Sequence, residues 1–264
     1  MIRRPPRSTP SNSSAASDVY KRQEDETMAK LSVNIDHIAT LRQARGTGYP
    51  EPVWGASIVE LAGANGLTMH LRQDERHITE RDLRLIREVI TIPLTLEMAA
   101  TESMVEKALT YRPECVTLVP EREGERTTEG GFDVRGEATN LKGCIERLRA
   151  EGIVVCLFIN PDEDSVKLSA DLGADYVELN TDDYATAKSY IEEVEELRRL
   201  EKIAVLGQKK GLGVNAGHGL NYNNVANVAD VEAIEELSIG HSIISRAIFV
   251  GLEKAIKEML TLVR

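Results

Sequence analysis

The stretch GLTMHLRQDERHITERDLRLIREVI, Gly66–Ile90, reads as one full unit of a repeating architecture. It starts as a short apolar and β-branched run, the pattern of a strand. The run then leaves through His70 and Arg72 into a polar loop carrying His77. Thr79 stands before Glu80 where a helix cap belongs, and Leu83, Ile86 and Ile90 recur three and four apart against a charged face. That is the signature of an amphipathic helix.

Outward from this unit the same alternation continues. Strand-like runs are LSVNIDH from Leu31, PLTLEMA from Pro93, CVTLVP from Cys115, IVVCLFIN from Ile153, DYVELNT from Asp175, LGVNAG from Leu212 and ELSIGHSII from Glu236. With GLTMHLR they make eight. Helical patterns such as TESMVEKALTYRP, with Thr101 placed to cap it, and ATAKSYIEEVEELRRL lie between them. AGANGLTMHL and LGADYVELNT share a lead-in in which a helix closes on Gly and Ala before a strand. Consecutive βαβ units of this number predict an α/β fold, a closed (β/α)8 TIM barrel, with an open doubly wound sheet as the alternative.

The chain of 264 residues suits one such domain of roughly 250 residues. Residues 1–27, rich in Ser, Pro and charge, are expected to be a disordered extension that looks like translated adapter sequence. This makes Met28 the expected native start and 28–264 a single catalytic domain. No apolar run reaches the ~18 residues of a membrane span, and a net charge of −11 disfavours nucleic acid. A small anionic substrate is still allowed, because clustered arginines act locally while distant charge is screened. Cys115, Cys144 and Cys156 are odd in number and lack CxxC spacing, which suits thiols in a reducing cytoplasm.

In a barrel the working face is the rim at the C-terminal ends of the strands. The run VNIDHIATLRQARG, Val33–Gly46, fails as a packing strand because it ends on Asn34, Asp36 and His37, with Arg42 and Arg45 following. Other predicted strand ends or following loops carry His70, Arg72 and His77; Glu97; Glu178 and Asn180; Asn215 and His218; and His241. All five histidines therefore fall at one rim. NAGHGL and SIGHSII, after strands seven and eight, predict a phosphate cradle of glycine turns and helix N-termini. Arg42, Arg45 and Arg72 are candidates for a second anion site. The loop PEREGERTTEGGFDVRGE, with Gly130 and Gly131 as a hinge, predicts a lid that excludes water.

Taken together, NIDHIATLRQARGTGYP, HLRQDERHI, LEMA, TTEGG, VNAGHGL and IGHSII resemble the pyridoxine 5′-phosphate synthase family over Leu31 to about Arg264. The resemblance implies a barrel with additional helices that pair subunits into dimers and an octamer. It implies condensation of 3-amino-2-oxopropyl phosphate with 1-deoxy-D-xylulose 5-phosphate to give pyridoxine 5′-phosphate, phosphate and water, with neither metal nor organic cofactor. By motif, His70 and Glu97 would be bases, His218 a proton donor and Glu178 a stabiliser of transition-state charge. Asn34, Thr127, Gly219, Gly240 and His241 would hold the aminoketone phosphate. Asp36, His37, Arg72 and His77 would hold the deoxyxylulose phosphate, and Arg45 would reach a neighbouring subunit's site.

The chemistry itself asks for such a set. An amine adds to a ketone, water and phosphate leave, and a carbon–carbon bond closes, so several protons move in turn. Imidazoles and buried carboxyls serve this near neutral pH, each contributing about 10²- to 10⁴-fold. The chain departs from the family pattern at Asn180, Thr181 and Asp182, where His-Thr-Gly is usual, and at Gln73, where Glu is common. Asp182 is expected to weaken a nearby phosphate contact by like-charge repulsion. Two other readings stand beside this one. One is a metal-dependent lyase or hydrolase with Zn²⁺ or Mn²⁺ on Asp36, His70, Glu97 and His218. The other is a sugar-phosphate binding protein that has lost the chemistry.

Overall fold

The computed structural model describes residues 29–263 apart from 123, 124, 126, 127 and 129. The expectations for residues 1–27, for Met28 and for Thr127 lie outside the described residues. Eight parallel strands close into a barrel in chain order. They are β1 (Lys30–Asn34), β2 (Gly66–His70), β3 (Leu94–Met98), β4 (Cys115–Leu118), β5 (Val154–Ile159), β6 (Tyr176–Asn180), β7 (Gly213–Gly217) and β8 (Glu236–Ile239). The closing pair aligns Lys30 with Glu236 and Val33 with Ile239. This is the expected (β/α)8 barrel, and the open sheet is excluded.

Eleven helices accompany the strands among the described residues, three more than one per strand. After β1 come α1 (Asp36–Arg45) and α2 (Pro52–Leu61); then α3 (Glu80–Val89), α4 (Glu102–Tyr111), α5 (Ala138–Ala150) and α6 (Glu163–Leu172) follow β2 to β5. After β6 lie α7 (Asp182–Ala185) and α8 (Tyr190–Lys209), after β7 α9 (Val225–Ala229), and after β8 α10 (His241–Val250) and α11 (Leu252–Val263). Among the described residues no helix is long and apolar enough to cross a membrane.

Local chemistry sets the helix boundaries. Thr79 and Asp82 form a reciprocal capping box that starts α3 where the sequence placed it. Thr101 precedes α4 without capping it, because its hydroxyl pairs with Ser103 instead. The helix expected from Ala185 begins five residues later, where the Ser189 hydroxyl accepts the Glu192 amide. Asp36 and His37 also differ from expectation: they open α1 rather than ending β1. The Asn34 side chain causes this by accepting the Asp36 amide at 2.9 Å and so turning the chain.

Strand residues alternate between two environments. Val177 and Val214 face α8, since a methyl group added at Gly207 would meet both. Leu31, Val33, Leu67, Leu94, Leu96 and Leu237 lie on this outer face and are fully enclosed. The residues between them line the lumen, where the Ser32 and Thr68 hydroxyls pair at 2.7 Å. The lumen of a barrel of this type is normally filled by branched aliphatic side chains. Here it holds Thr95, Glu97, Thr117, Cys156, Glu178 and Glu236.

Candidate active site

The polar lumen opens at the C-terminal rim into a cluster built on β1, β2 and β3. Asp36 accepts the His70 amide on Oδ1 at 2.8 Å and the Asn34 side-chain amide on Oδ2 at 2.9 Å. His70 is buried, with Nδ1 4.0 Å from Glu97 Oε2 and Nε2 3.1 Å from Glu121 Oε1. The His77 ring lies 5.7 Å from that of His70. Its Nδ1 accepts the Ile78 amide, so the proton of the neutral ring sits on Nε2 and makes it a donor. Burial first, then the His70 and Arg72 charges, hold His77 below the usual imidazole range against the pull of Asp36.

Arg72 is also buried. Its Nη1 reaches Glu125 at 3.3 Å, whereas its Nε, 3.5 Å from Asp74 Oδ1, has no hydrogen-bond partner among the described residues. A buried, unpaired guanidinium N–H is costly unless an anion completes it. Arg42 does not join it, contrary to expectation. Its guanidinium is bound by both oxygens of Asp82, at 2.8 Å on Oδ1, and sits 3.5 Å from Glu51. It therefore ties α1 to α3. Arg45, in the last turn of α1, is exposed and roughly 13 Å along the helix from Asp36.

Across the lumen, Glu97 and Glu178 are both raised carboxyls. Burial, then the Glu178 and Asp36 charges, pushes Glu97 well up, with Asn34 opposing. Burial, then Glu236, pushes Glu178 to about 8. Gly217 makes room for Glu178, since a Cβ there would stand 2.3 Å from its Oε1. Asn215, paired in register with Glu178, keeps a buried Oδ1 without a hydrogen-bond partner among the described residues.

His218 adopts a left-handed φ of 80° in the turn after β7 and stacks edge-on against Phe158, with ring centroids 6.4 Å apart. Thr181 secures this turn by donating its hydroxyl to the Gly217 and His218 carbonyls. Asp182 Oδ1 lies 3.6 Å from His218 Nδ1 and close to Gly219, so its charge borders the expected phosphate turn.

The two halves of the expected cradle differ. His241 does open a ten-residue helix, with Gly240 before it packed so closely on Asn34 that a Cβ would sit 2.9 Å from Asn34 Cβ. After His218, by contrast, the next helix, α9, begins only at Val225 and is five residues long. On the β7 side the cradle is therefore a turn without a helix terminus. His37 lies edge-on to His241 with ring centroids 5.0 Å apart. The expected hinge is likewise half fixed: Gly131 sits on the end of β5, where a Cβ would strike the Asn160 amide, and its N–H donates to Asn160 Oδ1.

Glu121, Glu125 and Gly217 take part in this arrangement although the sequence does not single them out, whereas Asn215, expected at the rim, lies in the middle of β7. The only sequence signals of the first three are the Pro-Glu that follows strand four and the glycine position of strand seven.

A metal reading meets these hydrogen bonds. Asp36, His70 and His77 bring one ligand atom each within 4.8 Å of one another, in place of the four-residue set expected. Both Asp36 oxygens and His77 Nδ1 already accept hydrogen bonds, and the Arg72 cation stands beside them. The N–H donors of Arg72 and His77 beside this cluster suit anionic oxygens better than a cation.

Residues 31–264 match the family described as Pyridoxal phosphate biosynthesis protein PdxJ. Pyridoxine 5′-phosphate synthase of Geobacter sp. (strain M21) is 56% identical over 237 residues, covering 90% of this chain and 99% of the relative. The enzyme of the same name from Synechococcus sp. (strain JA-2-3B'a(2-13)) is 55% identical over 232 residues, covering 88% and 97%. A solved thiamine phosphate pyrophosphorylase from Pyrococcus furiosus superposes with a TM-score of 0.57 at 16% identity, covering 90% of this chain and 96% of that one. At that identity the likeness speaks for the barrel alone. Family match and close relatives agree over the same span, and the chain belongs to the PdxJ family of pyridoxal phosphate biosynthesis proteins.

Proposed function

We propose that the chain condenses 3-amino-2-oxopropyl phosphate with 1-deoxy-D-xylulose 5-phosphate into pyridoxine 5′-phosphate, releasing phosphate and water, as the names of its relatives indicate. The observation that carries the reading is the meeting of His70 and Glu97 at one rim, 4.0 Å apart, beside the buried Arg72 guanidinium.

His70 takes protons through Nδ1, since Nε2 is turned to Glu121. Burial and its acidic neighbours push Glu97 toward the neutral form. The ammonium group of the aminoketone, arriving beside it, favours the ionised form, and Glu97 then accepts the proton that frees the amine to attack. Glu178 keeps its proton up to about 8 and donates a hydrogen bond to oxygen as negative charge grows there. His218 returns protons to the leaving oxygen.

Arg72 Nε and His77 Nε2, with Asp36 and His37, receive the deoxyxylulose phosphate. Asn34, Gly219, Gly240, His241 and the first amides of α10 receive the aminoketone phosphate, and Thr127 joins them on the resemblance alone. Arg45 serves the neighbouring site in a homo-oligomer of dimers assembling to an octamer. Trp54 and Leu61 on α2 and Ile248 and Phe249 on α10 support such an assembly, because these large apolar side chains are exposed. The free thiols of Cys115, Cys144 and Cys156 are consistent with a cytoplasmic setting.

The test is to mix both substrates with purified protein and follow the aromatic product by absorbance. Wild type should turn over, while Glu97→Gln and His218→Ala should each lose about 10²- to 10⁴-fold in kcat. A wild type that makes no pyridoxine phosphate ends the reading, and variants at full rate end the residue roles. A light-scattering mass equal to one chain would remove the oligomer.

A further inference from the structure

We infer that Glu121 is a positioning residue for His70: it fixes which ring nitrogen carries the proton and aims the other at the reacting groups. The inference rests on the reading of His70 as a base. His70 makes three defined contacts. Its backbone N–H is fixed by Asp36, its Nε2 lies 3.1 Å from Glu121 Oε1, and its Nδ1 faces Glu97 Oε2 at 4.0 Å. Of the two ring contacts only that of Nε2 has hydrogen-bond length. An ionised carboxylate can only accept, so Nε2 must donate and the neutral ring leaves Nδ1 bare, the form a base requires.

Glu121 is itself well held for this task. Its side chain is buried, and its second oxygen accepts the Gln73 backbone N–H at 3.2 Å and the Gln73 side-chain amide at 3.4 Å. Burial pushes its acidity toward the neutral form, but the His70 and Gln73 hydrogen bonds outweigh this and keep it below the usual carboxylate range. Glu97 is shifted the opposite way, so of the two carboxyls flanking one imidazole Glu121 is pushed toward the charged form and Glu97 toward the neutral one. The charged one orients the ring and the neutral one leaves Nδ1 free. Gln73 also gives a meaning to one departure from the family pattern: a glutamate there would place a second carboxylate beside Glu121, whereas glutamine donates to it.

The test reads tautomer and turnover separately. Long-range ¹⁵N–¹H spectra of histidine-labelled protein, with His70 assigned by His70→Asn, should show Nε2 protonated and Nδ1 bare at neutral pH in wild type. Glu121→Ala should turn this into a tautomer mixture and lower kcat by about 10- to 100-fold, the usual weight of a carboxylate that orients an imidazole from behind, with KM moving by less than ~3-fold. Glu121→Gln keeps an accepting oxygen and should retain most of the Nε2–H form, with an intermediate kcat. It also serves as the second variant if alanine unfolds the loop. An unchanged His70 tautomer with kcat within twofold in both variants overturns the inference. A wild type inactive with both substrates, yet whose His70 tautomer still follows Glu121, sinks the synthase reading and leaves the positioning role standing.

Discussion

One residue apart on β3, Leu96 is fully enclosed on the helix side while Glu97 points into the lumen with a carboxyl driven well above its usual range. The same contrast repeats around the barrel, with Leu67 beside Thr68, Val177 beside Glu178 and Leu237 beside Glu236. The outer face buries hydrocarbon and holds the sheet to its helices. The inner face puts acids and hydroxyls where aliphatic side chains would have packed, and each such group is harder to bury. Stability and chemistry are thus divided between alternate positions of one strand.

The sharpest way to break this division is at the Arg42–Asp82 pair, which belongs to the outer architecture although it sits near the rim. Asp82→Ala leaves the buried Arg42 guanidinium with only the Glu51 carboxylate at 3.5 Å and the His77 carbonyl, removes the capping box of α3, and should cost about 3–5 kcal/mol in denaturant unfolding. If Arg42 were instead an anion-binding residue, the loss would shrink to the ~1 kcal/mol of the broken α3 cap and substrate KM would rise. A somewhat smaller loss, about 2–5 kcal/mol, is expected for Leu96→Ala, with kcat per folded molecule unchanged. A large fall in kcat without loss of stability would erase the distinction between the faces.

The smallest effect has the opposite sign. Glu178 holds its proton up to about 8, against an ordinary value of 4.5 in the unfolded chain. Below ~4.5 both states are protonated, and through the window from 4.5 to 8 only the folded state keeps its proton, so stability declines as pH rises across it. Glu178→Gln removes that decline. Its melting temperature should exceed that of wild type at pH 8, and the gap should narrow toward pH 5. An equal gap at both pH values would show that the carboxyl does not titrate in this way.

The barrel was legible because eight β-branched runs, each followed by a helical period, admit few closed solutions. The rim was legible where a polar residue interrupts such a run, as at Glu97 and Glu178. Periodicity could not reveal that Asn34 turns the chain, moving Asp36 and His37 from a strand end to the first turn of a helix. Nor could it show that Arg42 is matched to Asp82, forty residues away in sequence. Glu121 escaped notice for the same reason: its partner His70 lies two strands earlier, and a loop glutamate carries no pattern of its own.

Gly217 has a consequence for anyone altering what this cavity accepts. With no room for even a methyl group beside Glu178, libraries that randomise position 217 will consist mostly of displaced acids and inactive clones.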